Sequence, residues 1–472
     1  MKKTLLTVIL ATALFSANAQ DNPRITTLDL TAPELAHYMA PGWNLGNTME
    51  AGSNANNFTN DAGVSSETLW QSTKTSQAVI DLVKQQGFKS VRIPCSWVMG
   101  HITDANNMTI DPAWLARVKE IVNYCINDNM YVVLNDHWDG GWLEHDGFTT
   151  GADVAAKKEQ LRKLWTNIAN AFKDYDERLI FAGLNEPGVG EASPQASGTP
   201  LGVSDMTNRL IEYEQVFINA VRATGGNNAK RVLVVQGPKT NATDTYKYFD
   251  ATKLTDTADK RIMIEVHHYD PYQFTQMTKD EDWGLIYYYW YGHAPRRANN
   301  KRVAPQSLAT QIHTSFNNLK TKYVDKGYPV IMGEYGSNHR NIGTDGIQSN
   351  HDESLQYWYN FSTEYAYEAG FIPFVWDTNN LTRPNMTAID RGNMKVNDSF
   401  IINGIKEGAN AGQSAFNAIY PEPSTADGIN NVTTTAKSDG TIYNIQGVAV
   451  GKDESALAKG IYIRDNEKFV VR

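Results

Sequence analysis

Tyr131-Val132-Val133-Leu134-Asn135 is a short apolar run that ends on a polar residue. After helical spacing over 157–175 it is answered by Leu179-Ile180-Phe181-Ala182-Gly183-Leu184, which leads into Asn185-Glu186-Pro187. Runs this short and this apolar read as strands covered on both faces, and the helical segment between them reads as a crossover joining parallel neighbours. The same unit recurs in both directions along the chain. Further strands are expected at 42–46, 90–94, 232–236, 262–267, 330–333 and 371–376, with helices at 76–86, 113–127, 206–223, 307–323 and 354–369. Eight repeats close an α/β barrel, the (β/α)8 TIM barrel. The competing open, doubly wound sheet normally carries a glycine-rich phosphate loop after its first strand. Gly42-Trp43-Asn44-Leu45-Gly46-Asn47 is followed by no matching helix start.

The ends of the chain differ from this middle. Lys2 and Lys3, the apolar stretch from Leu5 to Phe15 and the small residues Ala17-Asn18-Ala19 have the layout of a secretory signal peptide, cut before Gln20. No later segment approaches the ~20 apolar residues of a membrane span, so a secreted protein without a membrane span is expected. Near the other end, Tyr420-Pro421-Glu422-Pro423-Ser424 reads as a linker, and the residues beyond Ser424 alternate in short Gly-, Thr- and Val-rich runs. The expected organisation is a signal peptide over 1–19, the barrel over 20–418, and a linker with a small C-terminal β-type tail over 419–472.

A net charge of −9 with scattered positive residues offers no basic stripe for phosphates, which excludes a nucleic-acid partner. Cys95 and Cys125 are too few for a disulfide framework and read by default as two buried free thiols, with a bridge between them as the alternative in an oxidising compartment. A monomer is expected.

In such a barrel, functional groups gather where strands end and the next loops begin. The polar and aromatic residues at those points are Asn47, Arg92, His137, Asn185 with Glu186, His267 with Tyr269, Glu334, and Trp376 with Asp377; the fifth strand offers none. Glu186 and Glu334 stand out, because strands four and seven face each other and a glycosidic bond is cut by two carboxyl groups. One protonates the leaving oxygen while the other attacks or stabilises the sugar carbon. Loop clusters such as Trp138 with Trp142, and Trp283 with Tyr287 to Tyr291, are expected to present flat faces to sugar rings. Strand-end histidines could instead hold zinc, but no His-x-His pair follows the first strand, so neither a metal nor another cofactor is expected.

The stretches Gly42-Trp43-Asn44-Leu45-Gly46-Asn47-Thr48, Gly87-Phe88-Lys89-Ser90-Val91-Arg92-Ile93-Pro94, Leu134-Asn135-Asp136-His137-Trp138, Leu184-Asn185-Glu186-Pro187, Val266-His267-His268-Tyr269-Asp270-Pro271-Tyr272, Gly333-Glu334-Tyr335-Gly336 and Val375-Trp376-Asp377 together resemble glycoside hydrolase family 5, the cellulase family. The opening stretch most resembles its endoglucanase and xyloglucanase branch. The resemblance implies Glu186 as acid/base, Glu334 as nucleophile, and Arg92 holding the nucleophile ionised. It implies that Asn185 bonds the sugar 2-OH, that His137, His267 and Tyr269 fix the carboxylates and the sugar, and that Trp376 forms the floor beneath the ring being cleaved. Asn47 and Trp138 join them as substrate-binding candidates. Arg92 should lower the pKa of one carboxylate while burial raises that of the other. His268 stands where the family often has an aromatic residue and is expected to point away from the sugar. The tail resembles C-terminal sorting modules of secreted proteins.

The expected function is therefore a retaining endo-β-1,4-glucanase acting on cellulose-type or related β-glucan polysaccharide. An endo-β-mannanase or xyloglucanase on the same barrel is the alternative. A catalytically silent glycan-binding protein is a third, against which the retention of both carboxylates speaks.

Overall fold

The computed structural model describes residues 30–52, 63–188, 196–423, 441–444, 449–464 and 467–471, so the expected signal peptide lies outside the described residues. Eight strands form a closed barrel: β1 (Gly42–Asn44), β2 (Ser90–Ile93), β3 (Tyr131–Asn135), β4 (Leu179–Ala182), β5 (Leu233–Asn241), β6 (Ile262–His268), β7 (Val330–Tyr335) and β8 (Phe371–Val375). They pair in sequence order, all parallel, and β8 returns to β1.

Each strand is followed by a helix: α1 (Gln77–Gln85), α2 (Pro112–Asn127), α3 (Val154–Ala171), α4 (Val203–Ala223), α5 (Ala242–Tyr248), α6 (Gln306–Lys322), α7 (Gln348–Glu368) and α8 (Ser399–Ile419). Helix starts are written locally. The carboxylates of Asp111, Asp153 and Asp398 accept the first free N–H groups of α2, α3 and α8. Pro112 opens α2, where a missing N–H costs nothing.

The main apolar core runs between the strands and the helix layer, and a smaller cluster of Met277, Ile286, Tyr288, Tyr289 and Ile342 lies apart from it. Helix α8 lies against α7 along a row of glycines. A Cβ added to Gly404 or Gly408 would meet the carbonyl oxygens of Gln356 or Asn360 at 2.3 Å, so only glycine admits this approach. Cys95 and Cys125 are buried and unbridged.

The chain divides into two compact units, 1–422 and 423–472. The first extends a little past Ala418. Tyr420 is buried and its hydroxyl donates to the Gly370 carbonyl at 2.8 Å, so it anchors the barrel rather than opening a linker. The second unit is a four-stranded antiparallel sheet of β9 (Ile442–Asn444), β10 (Ala449–Gly451), β11 (Gly460–Arg464) and β12 (Glu467–Val471), in the order β10-β9-β11-β12. No helix among the described residues is long and apolar enough to cross a membrane.

Candidate active site

Inward-facing residues alternate along barrel strands, and this parity builds the site. Arg92 on β2 is fully buried and reaches side chains from four places in the barrel at once. Its Nη1 donates to Asn44 Oδ1 and to Glu334 Oε1, both at 3.0 Å, and its Nη2 donates to Asn185 Oδ1 at 2.7 Å. Its Nε lies 3.0 Å from Glu265 Oε1 as a charge contact, with the N–H not aligned on that oxygen. Asn44 in turn donates to the carbonyl oxygens of Gly333, Phe374 and Val375, tying β1 to β7 and β8.

Glu334 sits within β7 with 7% of its side chain exposed, and Tyr269 donates its hydroxyl to Glu334 Oε2 at 2.9 Å. Glu186 lies just past β4 with 28% exposed, and His267 Nδ1 meets its Oε1 at 2.8 Å. His267 Nδ1 is also 3.7 Å from Glu334 Oε2, and its Nε2 is 3.2 Å from Glu265 Oε1. Burial alone would push the His267 pKa down, but Glu334, Glu186 and Glu265 outweigh it and lift the ring to about 10. His267 is therefore an imidazolium at neutral pH. Burial works against Glu265 too, yet Arg92, His267 and Gln236 hold it below the ordinary carboxylate value.

An oxygen of Glu186, an oxygen of Glu334 and a ring nitrogen of His267 lie within 4.8 Å of one another, the spacing of a metal site. The donors argue against ligation. The three groups are already engaged as an ion-pair and hydrogen-bond network, Glu186 with His267, and Glu334 with Arg92 and Tyr269.

The electrostatics depart from the sequence expectation in one respect. Burial raises Glu334, the carboxylate that Arg92 was expected simply to lower, because Glu334 is the more enclosed of the two. His267, Arg92 and the Tyr269 hydroxyl pull it back.

His137 holds Asn135 Nδ2 at 3.2 Å through Nδ1 and lies parallel to the Trp376 ring at 6.0 Å. Burial, then the Arg92 and His267 cations, keeps it neutral. Trp376, Tyr269 and Asn47 line a cavity of about 320 Å³ together with Gln276, Asn338 and Asn385, a set of amide groups suited to hydroxyl-rich ligands. Trp138 is half-buried with its ring edge-on to His145 at 6.2 Å. His268 points outward, parallel to Trp358 at 5.5 Å and 3.3 Å from Ser362 Oγ, both on α7.

Several residues sit otherwise than their sequence positions suggest. The fifth strand does deliver a polar group: Gln236 accepts from the Leu184 N–H at 2.8 Å and donates to Glu265 Oε2 at 2.6 Å. Asp377 is structural, fully buried, paired with Arg391 at 2.9 Å and accepting the N–H groups of Ala388 and Ile389. Most of the loop aromatics are packing rather than ligand faces. Trp142, Tyr288, Tyr289 and Trp290 are buried, while Trp283 is 65% exposed beside Tyr272 at 6.0 Å. Asn44 and Glu265 escape a reading confined to strand ends although parity marks them, Asn44 two residues from Gly46 and Glu265 two residues before His267.

A model of the cellulase family, glycosyl hydrolase family 5, matches residues 50–381. The chain belongs to glycoside hydrolase family 5. Endoglucanase A of Ruminococcus albus is 36% identical over 371 residues, which cover 76% of this chain and 88% of that one. Among solved structures, a family 5 xyloglucan-specific β-1,4-glucanase from a ruminal metagenomic library, in complex with XXLG, is 44% identical with a TM-score of 0.71. That match covers 81% of this chain and 97% of the other. The Bacteroides ovatus family 5 xyloglucanase in complex with a XXXG heptasaccharide is 30% identical with a TM-score of 0.70, covering 81% and 77%. A family 5 glycoside hydrolase is a barrel enzyme, and here the two strand-end carboxylates meet at the C-terminal rim where barrel chemistry is housed.

Proposed function

We propose that the protein is an endo-β-1,4-glucanase that cuts within β-glucan chains with retention of configuration, Glu334 acting as nucleophile and Glu186 as general acid/base. The carboxylate spacing carries this reading. Inverting pairs stand about 6.5–9.5 Å apart to leave room for water, whereas retaining pairs stand about 5–5.5 Å apart. Here one oxygen of Glu186 lies within 4.8 Å of one oxygen of Glu334, a close approach that supports the retaining reading.

In the first step a Glu334 oxygen bonds to the anomeric carbon while the bond to the leaving oxygen breaks, and Glu186 gives that oxygen its proton. In the second step water attacks the same carbon, Glu186 takes the water's proton, and Glu334 leaves as carboxylate. The charge inventory suits this cycle. Glu186, Glu265 and Glu334 face the cations Arg92 and His267, so three negative charges meet two positive ones and a single exchangeable proton neutralises the set. Glu186, the exposed member, is where that proton can reach a leaving group. Asn185, held by Arg92, would meet the sugar 2-OH, and Trp376 with the parallel His137 would form the floor.

The names of the relatives support a β-1,4-glucan backbone. The 44% identity to a xyloglucan-specific enzyme favours xyloglucan as the second reading of the substrate. The layout of residues 2–19 supports export, and the composition beyond Pro423 supports a separable tail module. The test is to incubate purified enzyme with cellulose derivatives, mixed-linkage glucan, xyloglucan and mannan. Viscosity should fall before reducing ends accumulate on at least one glucan; cleavage of mannan alone, or release from chain ends only, would overturn the proposal.

A further inference from the structure

The loop between β3 and α3 bends sharply through Asp139, Gly140 and Gly141, three consecutive residues in the left-handed region. The bend is anchored by the Asp139 carboxylate, which accepts the N–H groups of Trp97, Val98 and Met99. Past it comes Glu144, 3% exposed, a residue that no strand-end argument selects.

Its position relative to Glu186 is specific. Glu144 Oε1 accepts the main-chain N–H of Glu186, and the Glu144 carbonyl accepts the N–H of Gly188 at 2.7 Å. Between them stands Pro187, which has no N–H to give. One residue thus takes both main-chain donors of the corner that presents Glu186. Gly188 is itself at φ +85, and a Cβ there would lie 2.0 Å from Met206 Sδ, so the corner has little room to relax another way.

The carboxyl also has a free end. Among the described residues, Oε2 is buried and without a hydrogen-bond partner. A buried oxygen left unpaired costs far more when it carries charge than when it is neutral. Burial first, then the charge of Glu186, pushes the Glu144 carboxyl well above the usual carboxylate range, in agreement with that geometry.

We infer that Glu144 is a positioning residue for Glu186: its carboxyl accepts the Glu186 main-chain N–H and its own carbonyl accepts that of Gly188, so that it fixes the corner on both sides of Pro187. It does not touch the sugar. Its effect passes through the direction in which the Glu186 side chain offers its proton, so the inference rests on the proposed acid/base role of Glu186.

The test compares Glu144→Ala, Glu144→Asp and Glu144→Gln with Glu186→Ala and the unaltered full chain, using kcat/KM on a series of aryl β-cellooligosides of falling leaving-group pKa. That parameter reports the step in which the leaving oxygen needs a proton. Glu144→Ala should lose on the order of 10- to 100-fold on the poorest leaving group, the cost of a misplaced catalytic group, and less than about threefold on the most activated one. Glu144→Asp keeps the charge type but withdraws the acceptor by one methylene, and should show the same slope at smaller amplitude even if the alanine variant fails to fold. Glu144→Gln keeps a neutral acceptor and should stay within about threefold throughout.

A loss uniform across leaving groups in Glu144→Ala and Glu144→Asp, beside a steep series for Glu186→Ala, would overturn the positioning role while leaving Glu186 as the acid. A flat series for Glu186→Ala itself would remove the acid/base assignment, and the inference with it.

Discussion

The two carboxylates of the site live in opposite surroundings. Glu334 is nearly enclosed, with Arg92 and Tyr269 each bonded to it and His267 at 3.7 Å. Glu186 has four times its exposed share, 28% against 7%, and His267 is the side chain bonded to it. The contrast matches what the proposed roles require. A nucleophile attacks one atom from one direction and gains from being held still. A group that gives a proton and later takes one from water must face both the leaving oxygen and solvent. His267 stands between them, bonded to the open one and charged by the set of three.

The largest break in this comparison comes from Glu334→Gln. It keeps the shape and removes the attacking charge, so turnover on soluble glucan should fall by more than the roughly 10⁴-fold that acid–base groups supply. Mass spectrometry should find no glycosyl-enzyme with a slow activated substrate. Glu186→Ala should cost about 10²- to 10⁴-fold on polymer. Added azide should recover part of the second step with an activated substrate, since azide needs no base.

Replacing Arg92 by Met breaks the enclosed side from behind, removing one of the two cations that Glu265 and Glu334 share and leaving only His267. Loss of one partner from a buried charge set costs about 3–5 kcal/mol, so the melting temperature should drop steeply along with activity.

The pH dependence tests His267. Its folded pKa is raised to about 10, so its stabilising contribution is full below the unfolded value near 6.5 and is lost as pH rises through about 10. Glu265, depressed in the folded state, contributes the opposite limb, present above its unfolded value and lost as pH falls through the folded one. The melting temperature of the native protein should therefore decline between about pH 7 and 10, and His267→Gln should flatten that decline. The smallest effect is expected far from both carboxylates. Gly408→Ala overpacks the α7–α8 contact and should cost about 1–3 kcal/mol in stability, read from the denaturant midpoint, with kcat unchanged.

The barrel was legible because its strands are short apolar runs at even intervals, and each was placed to within a few residues. Strand β5 is the exception, continuing to Asn241 through Lys239 and Thr240 at positive φ, where no periodicity signals continuation. Of the site, the residues at strand ends were found and those one pleat deeper were not. Asn44, Gln236 and Glu265 have no exposed chemistry of their own; their work is to hold Arg92, Leu184 and His267. Glu144 lies in a loop, where hydrogen bonding to a distant corner leaves no mark in sequence spacing. Aromatic clusters misled for a related reason: Tyr289 and Trp290 lie in a loop run bounded by Gly284 and Gly292, yet they are buried in the fold.

Retention is most directly tested by proton NMR of the first minutes of hydrolysis of a soluble β-glucan, before the sugar ends mutarotate. Double displacement through Glu334 predicts the β anomer first, decaying to the equilibrium mixture; the α anomer appearing first would contradict it.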